Sequence, residues 1–227
     1  MPATDSEAVL SVVVPVFRNA THLDELATRL DRALAPRPYE LIFVDDASPD
    51  GAQAEIERLA VRDARISGIS LERNVGQNAA IVAGLARASG EAVAVMDGDL
   101  QDPPEAVPTL LDALFRDDAD LVFAARRGRY QGLPRLVNGR ILKRALWALT
   151  RGKVPPAAGL FFVTRRLVAE RVVATAPRDP YVLVLVARAA RSVTTVPVAR
   201  GRAGRSAYTG LMRWRVARRA LTAAVRR

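Results

Sequence analysis

Along the first 125 residues, short apolar runs alternate with longer stretches whose apolar positions recur every three or four residues. The runs read as buried strands, the stretches as amphipathic helices. Strands are predicted at Val9–Val14 (closed by Pro15), Glu40–Val44, Ile66–Leu71, Ala92–Met96 and Asp120–Ala125. Between them fall helices at His22–Leu34, Ala52–Arg62, Gln77–Ala88 and Pro104–Phe115. In the first helix Leu23, Leu26, Ala27 and Leu30 share one face, and in the second Ile56, Leu59 and Ala60 do. Strict strand–helix alternation is the signature of βαβ units and a mostly parallel sheet.

The pattern then loosens. Pro134–Leu149 looks helical, with Arg135, Arg140, Lys143 and Arg144 making one face basic. Leu160–Thr164 reads as a strand, Arg165–Ala174 as a helix, Tyr181–Ala190 as a buried apolar segment and Ser192–Val198 as a last strand. Gly210–Val225 reads as a terminal basic amphipathic helix. The expected fold is α/β: one domain over residues 1–209, with a basic helical extension over 210–227. A chain of 227 residues is long enough for one such core.

Composition narrows the chemistry. With no cysteine, disulfides and thiolate catalysis are excluded. A single histidine, His22, rules out histidine-rich metal centres and reads as exposed or structural. No leader and no apolar run of membrane-spanning length is evident, so a cytoplasmic protein is expected, peripheral at most on the inner face of a membrane. Lys and Arg number 34 against 24 Asp and Glu, a net charge of +10, and arginine crowds the segment after Arg126. A basic surface attracts polyanions, anionic lipid or phosphorylated substrates. Nucleic acid is not expected, because no recognised binding module or aromatic platform accompanies the charge.

The most informative segment is Val95-Met96-Asp97-Gly98-Asp99-Leu100-Gln101-Asp102-Pro103-Pro104. A buried strand ends in two carboxylates separated by one glycine. Such a pair can grip Mg²⁺ or Mn²⁺ together with a diphosphate, and Gln101 offers a neutral oxygen nearby. The same residues also suit a helix-initiating turn. In open α/β sheets, ligands bind beyond the carboxyl ends of the strands. Three polar clusters fall at such ends: Pro15–Asn19, Asp45–Gly51 and Asp97–Asp102. Asp46 can accept an N–H from a nucleobase, against which Pro15 and Phe17 present apolar surface. Phe17 can equally staple the following helix, and Asp45–Gly51 can be only a turn. Asn74-Val75-Gly76-Gln77-Asn78 opens the third helix, where polar side chains and free backbone N–H groups can meet an anion, or Asn74 and Gln77 can cap the helix.

Taken together, these segments resemble the inverting family 2 glycosyltransferases of the GT-A fold, above all the dolichyl- and polyprenyl-phosphate mannose and glucose synthases. The matching pieces are Ser11–Phe17, Val44–Gly51, Glu72–Ala80 and Met96–Glu105, with a looser match at Arg202–Tyr208. The resemblance implies a UDP- or GDP-linked sugar donor, a divalent cation, and transfer with inversion to a phosphorylated or hydroxyl acceptor. Carried over, Asp46 contacts the base and Asp97 the ribose or diphosphate. Asp97, Asp99 and Gln101 hold the Mg²⁺ or Mn²⁺. The residues it implies at the donor are Pro15, Phe17, Asp46, Gln77, Asp97, Gly98, Arg202 and Ser206. Arg126 and Arg202 face phosphates, and Asp99, Asp102 and Arg126 take part in the reaction.

The chain departs from the family on the acceptor side. Gly159-Leu160-Phe161-Phe162 stands where Gly-Asp-Phe-Arg is usual, removing a carboxylate and an arginine. Ala207 replaces a lysine, Arg205 a common glutamate, and Arg18-Asn19 stands where Asn-Glu is frequent. Asp102, or the arginine-rich region acting electrostatically, is the expected compensation for the lost base. Two other readings follow: a transferase acting on a non-lipid acceptor, and a non-catalytic sugar-nucleotide-binding subunit. A nicotinamide dehydrogenase is disfavoured, since no G-x-G-x-x-G follows the first strand. The terminal helix, with Trp214 and Leu211 among arginines, suits a bilayer interface, packing on the domain, or a homodimer contact.

Overall fold

Seven strands form one sheet in the order β3-β2-β1-β4-β6-β5-β7. They span Leu10–Val16, Tyr39–Asp45, Ile66–Ser70, Ala92–Val95, Leu121–Arg127, Phe162–Arg165 and Val193–Ala199, numbered β1 to β7. This computed structural model describes residues 9–127, 147, 150, 152–155 and 158–199, with the side chains of 126 and 127 excepted. The helices are α1 (Leu23–Leu34), α2 (Ala52–Arg62), α3 (Gln77–Arg87), α4 (Val107–Arg116), α5 (Arg166–Thr175) and α6 (Val182–Ala189). The expected helices at Pro134–Leu149 (all but Trp147) and Gly210–Val225 lie outside the described residues.

The alternation along β1 explains the layering. Val12, Val14 and Val16 pack with Leu26 and Leu30 of α1 and with Leu110 and Leu114 of α4. Val13 faces the other way and joins Ile42, Val44, Ile81, Leu85, Val172 and Val186. Successive side chains of a strand point to opposite faces, so one apolar run feeds two cores. Tyr181–Ala190, expected only as buried, contains the helix α6, with Val182, Val184, Val186 and Ala187 buried.

Pairing is parallel for β1 with β2 and β4, for β2 with β3, and for β5 with β7. β6 alone runs antiparallel, between β4 and β5. The carboxyl ends of β1, β2, β4, β5 and β7 therefore share one edge, and β6 begins there: Phe162 lies opposite Val95. Pro15 does not close the first strand, as expected from the sequence, but lies within it, opposite Val44. The β1–β4 ladder ends at Val13, with Met96 N–H donating to Val13 O at 3.2 Å. On that side Pro15 has no neighbour to bond, so its missing N–H leaves no ladder bond unmade.

Two further features set the site. Gly84 of α3 lies against β1 and β2, where an added Cβ would collide with Val13 and touch Val44. Asn78 Oδ1 accepts the Val182 N–H of α6 at 2.9 Å. The helix is thus seated closely on the sheet and tied to its neighbour.

Candidate active site

Three loops leave the central strands β2, β1 and β4 at the common edge, and each has one non-glycine residue in the left-handed region: Ala47 (φ 53°), Arg18 (φ 58°) and Leu100 (φ 58°). Such a backbone costs roughly 1–2 kcal/mol per residue, so the turns must be over-determined by other contacts. They are. Arg18 N–H donates to Ser48 Oγ at 2.7 Å, Ala20 N–H to Asp50 Oδ2 at 2.9 Å, and Phe17 N–H to Asn19 Oδ1 at 3.0 Å. Ser48 in turn donates its N–H to Asp45 Oδ1 at 2.9 Å. The loops after β1 and β2 are laced together, and Asp45–Gly51 is at once a turn and part of the rim. Sequence reading missed Asn19, Ser48 and Asp50 as its fasteners, although Asn, Ser and Asp at turn spacing are a usable signal.

Asp46 is 2% exposed. Its two oxygens accept the main-chain N–H groups of Val75 (2.7 Å) and Gly76 (2.9 Å), and Asn74 Nδ2 donates to its carbonyl at 3.1 Å. Burial raises its pKa, and these two N–H bonds work against that rise. The anion met by the segment before α3 is therefore the protein's own Asp46. Asn74 and Gln77 do not cap α3, whose N-cap is Gly76 with no side-chain cap bond. Phe17 stands 41% exposed on the rim with the Arg18 guanidinium 5.4 Å from its ring centre, and Val75 is equally exposed. Pro15 is buried beneath.

Asp97 and Asp99 are partly exposed at the end of β4. Gln77 Nε2, from the first turn of α3, donates to Asp97 Oδ1 at 2.6 Å. Gln101 N–H donates to Asp99 Oδ1 at 3.1 Å. Gly98 between them is buried, and a Cβ there would run into the Asn19 amide and press on Val14. A glycine lets the acidic turn sit directly on the β1 loop.

The other expected residues divide. Gln101 is buried, at 6% exposure, and what it gives the acidic pair here is its main-chain N–H. Asp102 is 1% exposed. Arg126 lies on β5 opposite Val198, near the same edge, but its side chain lies outside the described residues. Arg202 and Ser206 also lie outside them. Gly159–Phe162 enters β6 beside the end of β4. Phe161 and Phe162 are fully buried and Leu160 packs on the second core, so the substituted side chains supply no charge at that point.

Among the described residues no group of three or more His, Cys, Asp or Glu side chains is arranged to hold a metal. Two carboxylates nevertheless fit a Mg²⁺- or Mn²⁺-type site that completes its oxygen shell from substrate phosphates and water, since such ions are seldom held by all-protein cages. Asp97 and Asp99 have that donor chemistry, on the rim.

Residues 11–173 match the protein family described as Glycosyl transferase family 2. The chain belongs to that family. Among its curated relatives are undecaprenyl-phosphate 4-deoxy-4-formamido-L-arabinose transferases. That of Aeromonas hydrophila is 31% identical over 201 residues, covering 87% of this chain and 61% of the relative. That of Pseudomonas fluorescens is 31% identical over 193 residues, covering 84% and 56%. The family 2 chain thus spans about three fifths of the length of these relatives. Its fold is shared with the glucosyl-3-phosphoglycerate synthase of Mycobacterium tuberculosis in complex with Mn²⁺, UDP and phosphoglyceric acid (TM-score 0.70, 19% identity, 96% of this chain and 79% of that one). It is shared also with a Pyrobaculum calidifontis mannosyltransferase in complex with GDP-Man and Mn²⁺ (TM-score 0.66, 21% identity, 98% and 66%). At these identities the likeness is one of fold, and the fold is the GT-A architecture that the sequence resemblance implied.

Proposed function

We propose that this chain is a metal-dependent inverting glycosyltransferase that moves a hexose-like sugar from a nucleoside diphosphate to a polyprenyl phosphate. The observation that carries the reading is the convergence of Phe17, Asp46, Asp97 and Asp99 on adjacent strand ends β1, β2 and β4. Neighbouring strands lie about 4.8 Å apart, so the Asp46 and Asp97 ends stand about 10 Å apart, a span for one nucleoside diphosphate to bridge. The base lies at the Phe17 and Asp46 side, and the diphosphate meets Asp97 and Asp99 through a Mg²⁺ or Mn²⁺ ion. That cation, when bound, neutralises the charge building on the departing diphosphate.

The Gly159–Phe162 segment carries no base, and a phosphate acceptor is compatible with that. A sugar hydroxyl needs a base to remove its proton, whereas a phosphate oxyanion is already a nucleophile at neutral pH. Its oxygen attacks the anomeric carbon from the face opposite the diphosphate. The new C–O bond forms as the bond to the diphosphate oxygen breaks, and the nucleoside diphosphate leaves with the electron pair. The names of the undecaprenyl-phosphate relatives support the same acceptor class. Among the described residues no helix is long and apolar enough to cross a membrane.

A radiolabelled-sugar assay tests it: UDP- and GDP-sugars with Mn²⁺, offered undecaprenyl phosphate in detergent or a panel of soluble hydroxyl acceptors. Label should move into the lipid phase, and only with metal present. Label appearing solely on a soluble hydroxyl acceptor would replace the lipid reading with the non-lipid one. Donor binding with no transfer to anything would favour a sugar-nucleotide-binding subunit.

A further inference from the structure

We propose that Gln77 is a positioning residue for the acidic pair: its neutral amide, mounted on α3, fixes the Asp97 carboxylate and thereby sets how tightly a divalent ion is held. The inference rests on the reading of Asp97 and Asp99 as the cation's protein ligands.

Three observations carry it. The Gln77 Nε2 to Asp97 Oδ1 bond is 2.6 Å long and joins residues 20 apart in sequence, on different elements. It is a bond to an ionisable acceptor, shorter than the usual amide–oxygen distance, and so among the stronger side-chain contacts. Second, the mount is rigid. The residue after Gln77 accepts the Val182 N–H from α6, and Gly84, two turns further on, lets α3 lie against Val13 and Val44. A side chain held by a packed helix orients its partner far better than one on a loop. Third, the same helix start serves both ends of the rim, since Val75 and Gly76, the two residues before Gln77, donate to Asp46. Base-side and cation-side carboxylates are thus referenced to a single element.

The chemistry of residue 77 then matters as much as its presence. An amide hydrogen-bonds a carboxylate without cancelling its charge, so this contact leaves Asp97 able to attract a cation. An ammonium in its place would pair with Asp97 and compete with the cation. An apolar side chain of similar length would remove this restraint on the carboxylate. Hydrogen-bond partners of metal-ligating carboxylates typically contribute about 10- to 100-fold in metal affinity.

The test is calorimetric titration of the full chain with Mn²⁺ and UDP, and with Mn²⁺ and GDP, for wild type, Gln77→Leu and Gln77→Lys. Metal-free uridine and guanosine binding and thermal melting are followed in parallel. The expected result is about tenfold weaker Mn²⁺-dependent binding in Gln77→Leu and a larger loss in Gln77→Lys, with nucleoside binding and melting temperature close to wild type. Gln77→Asn, which keeps the amide one methylene shorter, should recover part of the loss. Wild-type Mn²⁺ affinity in folded Gln77→Leu and Gln77→Lys overturns the proposal and leaves the acidic-pair reading standing. Equal losses of metal and nucleoside binding assign Gln77 a merely structural role and overturn it as well. Absence of Mn²⁺-dependent nucleotide binding in the wild type itself sinks the reading, and the proposal with it.

Discussion

Asp45 and Asp46 stand side by side at the end of β2, 4% and 2% exposed, and they do different things. Asp46 satisfies two main-chain N–H groups of another loop, whereas Asp45 holds the Ser48 N–H in its own turn. Burial raises the pKa of Asp45, and the nearby charges of Asp50 and Asp46 add to the rise. A carboxyl whose folded pKa lies above its unfolded one favours the fold while protonated and loses that advantage as pH climbs through the folded value. Asp45→Asn keeps the acceptor for Ser48 and removes the charge. Its stability relative to wild type should therefore be greater at pH 7 than at pH 3, as read by urea melts at the two values. A gap independent of pH would contradict the burial account of Asp45. The adjacent aspartates were legible in the sequence as a rim cluster. The free main-chain N–H groups before α3 were legible as anion partners, but their pairing with Asp46 was not, because it depends on which loops the sheet brings together.

At the level of elements, α3 joins the packing of the sheet to the geometry of the site. Its first turn carries Gln77, the residues before it hold Asp46, and its middle rests on β1 and β2 through Gly84. Gly84→Ala would drive a methyl into Val13 and should destabilise the fold by about 1–3 kcal/mol. Because the helix must rise to make room, Mn²⁺-dependent nucleotide binding should weaken at temperatures where the variant remains folded. Melting curves and titration on one sample check both. An unperturbed site in a destabilised protein would uncouple helix seating from the rim. The seven strands, and the helices among the described residues other than α6, were readable from periodicity, since the apolar runs are short and bounded by turn residues. Two things were not. Pro15 signals a strand end, yet β1 continues past it because its neighbour β4 has already stopped. Nothing in Leu160–Thr164 marks the reversal of β6, for strand direction is set by connections and not by the apolar pattern.

On the scale of the whole molecule, a mostly parallel sheet gathers loops remote in sequence onto one edge, and the proposed function places both donor and acceptor there. The proposed donor side carries an aromatic face at Phe17, a buried carboxylate at Asp46, and a carboxylate pair at Asp97 and Asp99. Beside it, β6 enters with apolar residues where a base is otherwise expected. The sequence made this contrast visible through motif departures. It could not show that Asp102 is buried, because burial of one carboxylate in a polar run depends on tertiary packing. The most direct measurement is calorimetric titration of UDP- and GDP-sugars with and without Mn²⁺ into wild type and Asp99→Ala. Metal-dependent binding of one donor class by the wild type, reduced in Asp99→Ala to the metal-free level while its melting temperature holds, is the predicted result. Equal metal dependence in the two proteins, or no nucleotide-sugar binding by the wild type, would contradict the cation-bridged donor site.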